Sequence, residues 1–104
     1  MSTFDDREHA FEAKFAHDEE MKFKAEARRN KLLGLWAAEV MGKNAAEADA
    51  YAKEVVLSDF EEAGHEDVVR KVAGDLGDLA DEATIRGKMA ALLVVAKEQI
   101  MKEI

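Results

Sequence analysis

A chain of 104 residues without a single proline can be helical wherever its apolar pattern asks for helix, because no residue lacks the backbone N–H or clashes with the preceding turn. Its six glycines are then the natural punctuation. No window alternates Val, Ile, Thr or aromatic residues between hairpin turn pairs, so strands are not expected. The spacing predicts four helices. Thr3 with Asp6 gives a capping-box variant at the head of the first, and Gly42 suits its end. Asn44 with Glu47 makes a stronger box for a second helix, running to about Glu62 and stopping at Gly64. A third runs from about Glu66 to Ala73, ended by Gly74 and Gly77. Asp81 caps a fourth that continues close to the C-terminus.

The apolar residues fall on helical stripes. The second helix offers Ala48, Tyr51, Ala52, Val55, Val56 and Phe60. The third offers Val68, Val69, Val72 and Leu76, and the fourth Ile85, Met89, Leu92, Leu93, Ala96 and Ile100. Stripes of this kind must bury themselves against one another, which implies a small four-helix bundle. Gly87 is a local weakness inside the last helix, costing about 1 kcal/mol relative to alanine.

The first forty residues differ. Phe4, Phe11 and Phe15 lie within roughly 40° of one another on a helical wheel. Leu32, Leu33, Trp36 and Val40 form a second cluster in nearly the same phase. Asp18, Lys22, Glu26 and Arg29 occupy that sector in between. The second cluster therefore reads as bundle core, and the phenylalanine stripe as something else. The expected fold is all-α, a small four-helix bundle with a long or mobile N-terminal helical arm, the charged interval of residues 17–31 letting the arm project. An isolated segment of this length is marginally helical in water and can fold against a partner.

Composition excludes more than it proposes. With 23 acidic and 15 basic side chains the net charge is −8, which disfavours a polyanionic partner such as nucleic acid. Residues 44–83 hold 12 acidic and 3 basic side chains, most simply a solvated face. No stretch reaches the roughly 20 apolar residues that cross a bilayer. The absence of cysteine excludes disulfides, thiolate metal sites and thiol nucleophiles. Asp6-x-x-His9 and Glu62-x-x-His65 have the one-turn spacing of di-metal bundles but lack bridging glutamates in a core. Asp75, Asp78 and Asp81 lack the alternating ligands of a calcium loop. Ser2 and Ser58 sit in no nucleophile motif, and Gly74 and Gly77 lack the Lys-Ser/Thr of a phosphate loop. No enzyme, metal or cofactor is expected. Arg28, Arg29 and Lys31 form the dense basic cluster, suited to a phosphate or carboxylate.

Three segments carry a further signal. ARRNKLLGLWAAE (residues 27–39), TFDDREHAFEAKFAHDEE (residues 3–20) and YAKEVVLSDFEEAGHEDVVRKV (residues 51–72) together resemble the zeta subunit family of alphaproteobacterial F-type ATP synthases, which inhibits ATP hydrolysis by the catalytic head. The resemblance implies four helices and a cytoplasmic protein held peripherally at the inner membrane face through the synthase. It further implies that residues 1–19 are an inhibitory arm and residues 20–104 a four-helix domain. The arm would enter an interface between alpha and beta subunits, contact the central gamma shaft and block rotation in the hydrolytic direction. On this sequence the element maps to Phe4, Asp5, Asp6, Arg7, Glu8, Phe11, Glu12 and Phe15. Aromatic anchors on one stripe suit a groove, and the flanking charges suit register.

Two other readings compete. One is an adenine-nucleotide sensor that uses Arg28, Arg29 or Lys31 and a pocket between helices. The other is a helical adapter for a different complex.

Overall fold

The computed structural model describes residues 19–59 and 65–103, which form four α-helices and one short 3₁₀ turn. Helix α1 spans Glu19–Val40, α2 Ala45–Ser58, α3 Glu66–Leu76 and α4 Glu82–Glu103, with the 3₁₀ turn at Gly77–Leu79. Readings that fall on residues 1–18, on Phe60, or on Glu61 to Gly64 lie outside the described residues.

The helix ends follow the caps. Gly42 stands at φ 77°, while its N–H donates to Glu39 and that of Lys43 to Ala38, the paired arrangement that satisfies the last carbonyls of α1. The Asn44 side chain accepts from the Glu47 N–H, and the Glu47 carboxylate accepts from the Asn44 N–H, closing the box that opens α2. Asp81 Oδ1 accepts from the Thr84 N–H at 2.7 Å, and hydrogen bonding from the Thr84 side chain, then from its N–H, holds the Asp81 carboxyl below its ordinary range. Gly74 departs from expectation. It stays helical, and α3 runs on to Leu76 and stops at Gly77, where φ reaches 55°. A mid-helix glycine costs about 1 kcal/mol, less than burying Leu76 returns.

Helix α1 is the shared element, packing against α2, α3 and α4. The main core joins Leu33, Ala37 and Ala38 to Tyr51, Val55, Val68, Val69, Val72, Leu76, Ile85 and Met89, with Trp36, Ala48 and Leu92 partly buried at its edge. Val40, expected inside, is exposed in the last turn of α1. A second, smaller core joins Met21 and Ala25 to Ile100, with Leu93 and Met101 beside it. Among the described residues, the interval expected to project is therefore fastened from Met21 onward. Met21, Ala25, Arg29, Leu33 and Ala37, each four residues from the last, are all buried, so the seam of α1 runs one residue ahead of Lys22 and Glu26 and then passes through Arg29 itself.

The closest approach is at Gly34. A Cβ built there would stand 2.6 Å from Ala52 Cα and 3.2 Å from Val55 Cγ2, whereas one at Gly87 would meet nothing within 4 Å. Gly34→Ala must therefore push α2 away and should cost about 1–3 kcal/mol. Gly87→Ala should add about 1 kcal/mol of stability. Thermal unfolding followed by circular dichroism checks both, and equal melting temperatures for the two variants would refute this packing.

Candidate functional site

Two features of α1 carry chemistry beyond packing. The first is a shallow groove of about 500 Å³ between α1, α2 and the last turns of α4, lined by Phe23, Lys24, Ala27, Arg28, Lys31, Val56, Ile100 and Glu103. Lys24, Arg28 and Lys31 stand at positions i, i+4 and i+7, which share one side of a helix. Phe23 puts an aromatic ring, 54 % exposed, at the rim. The groove thus joins an aromatic face to three cations. Arg28 is already engaged, donating to Gln99 Oε1 at 2.9 Å and to Glu103 Oε2 at 3.1 Å. Lys24 reaches Glu20 across an exposed i,i+4 pair at 3.4 Å. An anion entering here would share Arg28 with Glu103.

The second feature is a polar joint on the adjacent side of α1. Arg29 and Asn30 are buried, Asn30 completely. Arg29 Nε donates to Asn30 Oδ1 at 3.1 Å, and Asn30 Nδ2 donates to Asp59 Oδ2 at 3.0 Å. Arg29 Nη2 lies 2.9 Å from His65 Nδ1, and that same nitrogen lies 3.3 Å from Asp59 Oδ1. Glu26 Oε1 stands 3.6 Å from His65 Nε2. Burial pushes the Arg29 guanidinium below its usual value, while Asp59 and Glu26 act in the opposite sense. The two carboxylates flank opposite nitrogens of the imidazole, so they do not converge on one point as metal ligands do. Among the described residues no group of three His, Asp or Glu side chains is placed to hold a metal ion.

The basic cluster seen in the sequence is accordingly divided. Arg28 and Lys31 line the groove, whereas Arg29 is turned inward onto Asn30 and His65. Adjacent helical residues point about 100° apart, so three cations within four residues do not share a surface. Lys24 and Phe23 were missed. Their signal is the i, i+4, i+7 spacing from Lys24, which a density of charge along the chain does not show. The joint was missed too, because it pairs residues separated by 29 and 36 positions. The aromatic and charged residues of the N-terminal stripe, from Phe4 to Phe15, lie outside the described residues.

No described helix is long and apolar enough to cross a membrane. A solved solution NMR structure is similar to this chain at 64 % identity, with a TM-score of 0.76, and the match covers 81 % of this chain and 99 % of that one. No curated protein matches. The family model described as ATPase inhibitor subunit zeta matches residues 1–99. Since that match takes in α1, α2, α3 and most of α4 together with the segment ahead of them, the chain belongs to the ATPase inhibitor subunit zeta family.

Proposed function

We propose that the protein inhibits ATP hydrolysis by the F-type ATP synthase through residues 1–19, with the four-helix domain of residues 20–104 as the handle that presents them. The arm enters an interface between alpha and beta subunits, meets the gamma shaft, and stops rotation in the hydrolytic direction. Phe4, Phe11 and Phe15 are its anchors. Asp5, Asp6, Arg7, Glu8 and Glu12 set its register. The protein then resides on the cytoplasmic face of the membrane that carries the synthase, and contributes no catalytic group. The observation that carries this reading is the family match, which begins at residue 1 and so includes the aromatic stripe. The packing gives secondary support. Met21 and Ala25 meet Ile100 and Arg28 meets Glu103, so the chain ahead of Glu19 leaves from a helix end fixed beside the C-terminal turns of α4.

Ordering about 15 residues on a partner costs several kcal/mol, which three buried rings must exceed. The intact chain should suppress hydrolysis by a cognate catalytic head, and a version starting at Glu20 should not. Equal inhibition by both would reject the arm. The triple variant Phe4→Ala, Phe11→Ala, Phe15→Ala should weaken inhibition while its thermal unfolding stays close to that of the parent. If it unfolds the domain instead, the rings belong to the core.

The groove favours a second reading, weak binding of an adenine nucleotide, with the base against Phe23 and the phosphates toward Lys24, Arg28 and Lys31. An aromatic–base stack is worth roughly 1–3 kcal/mol, so Phe23→Ala should lower affinity about tenfold. Titration with ATP to millimolar concentration should shift the backbone amides of the groove residues. The absence of shifts localised there would end this reading.

A further inference from the structure

We propose that His65 is a proton-operated switch that exchanges which helix holds the start of α3. One atom, His65 Nδ1, decides which partner is held. His65 Nδ1 faces a permanent donor, Arg29 Nη2, at 2.9 Å, and a carboxylate acceptor, Asp59 Oδ1, at 3.3 Å. A ring nitrogen either carries a proton or offers a lone pair, so it serves one of these partners at a time. With Nδ1 bare, the ring is neutral and its proton sits on Nε2 toward Glu26 Oε1, 3.6 Å away. Arg29 then donates to Nδ1 and ties α1 to the residue that opens α3. When one proton arrives from solvent, Nδ1–H turns donor. It faces Asp59 and opposes the Arg29 N–H, so the tie passes from α1 to the end of α2.

The surroundings are built to accept either arrangement. Arg29 has a second acceptor in Asn30 Oδ1, and Asp59 has a second donor in Asn30 Nδ2. Neither therefore loses every partner when His65 changes sides. Asn30, fully buried between them, is the fixed point. The charges point the same way. Glu26, Asp59 and Arg29 sum to −1 around a neutral ring, and the added proton brings the group to zero. The other charged residues at the start of α3 are turned elsewhere, Glu66 to Arg86 on α4 and Asp67 to Arg70 on α3. The His65 side chain is 39 % exposed, so solvent reaches it.

The test is a side-chain NMR titration of the full chain from about pH 8 to about pH 5. At the upper end, the imidazole ¹⁵N shifts should show Nδ1 bare and Nε2 protonated. On acidification the Arg29 Nε–H and Asn30 Nδ2 signals should move with the same midpoint as the His65 ring. In His65→Gln, which offers a neutral acceptor and donor, both signals should stay flat over that range while helical circular dichroism is unchanged. A His65 ring that titrates while Arg29 and Asn30 remain still would overturn the switch, as would an Nδ1 proton already present at the upper end. Because no ATPase enters this experiment, its failure would leave the inhibitory reading untouched, and failure of that reading would leave the switch standing.

Discussion

The approach of α2 to α1 at Gly34 governs the rest of the molecule. Three helices share α1, and one cylinder serves three partners only if some of its inward positions carry little or no side chain. Ala25, Gly34, Ala37 and Ala38 supply those positions. At Gly34 the backbone of α2 comes so near that a single methyl group would overlap Ala52. The apolar contact sets the distance at which polar groups then meet. Asn30, one turn before Gly34, reaches Asp59 at 3.0 Å. If α2 stood off by an ångström, that bond would pass beyond hydrogen-bonding range, and Val55 would retreat from Leu33.

Why the joint is polar follows from geometry. Burying a guanidinium is unfavourable unless it is surrounded by acceptors and countercharge, and Arg29 has Asn30, His65, Asp59 and Glu26 around it. Apolar side chains at this point would hold α1 against α2 in any of several rotations. A guanidinium fork and a carboxamide accept far fewer. Tyr51, about two turns earlier on α2, plays a comparable part. Its hydroxyl donates to Asp75 Oδ2 at 2.8 Å, and Lys71 lies over the ring, fixing where α3 crosses. Burial, and then that bond, push the phenol well above its ordinary range.

Much of this architecture was legible in the sequence because it depends on local chemistry. The Asn44–Glu47 box, the positive-φ turn at Gly42 and the Asp81 cap are short-range effects, and each stands where the residues place it. So do the valines of α3. The failures have a common physical cause. A wheel drawn from large apolar residues gives alanine and glycine no weight, so the seam from Met21 through Ala25 to Ala37 reads there as a charged gap. Burial along that seam is decided by what the neighbours bring, Ile100 from α4 and Ala52 from α2, and no local pattern in α1 records them. Arg29 reads as a surface cation for the same reason, since beyond its neighbour Asn30 the partner that turns it inward, His65, lies 36 residues away.

These features bear on how a helical domain can serve an arm ahead of it. On the proposed reading, the rotor's load arrives at Glu19 and must be taken up by something stiffer than one helix. Alone, α1 would bend or fray at its first turns, where backbone N–H groups lack helical partners. Met21 and Ala25 against Ile100, and Arg28 against Gln99 and Glu103, clamp those turns to α4. The next turn is locked to α2 through Asn30, and the two after it to α2 and α3 through the main core. Force entering at one end of α1 is thereby passed to three helices within about four turns. On the proposed reading, the charged stretch between arm and bundle is where the two are coupled.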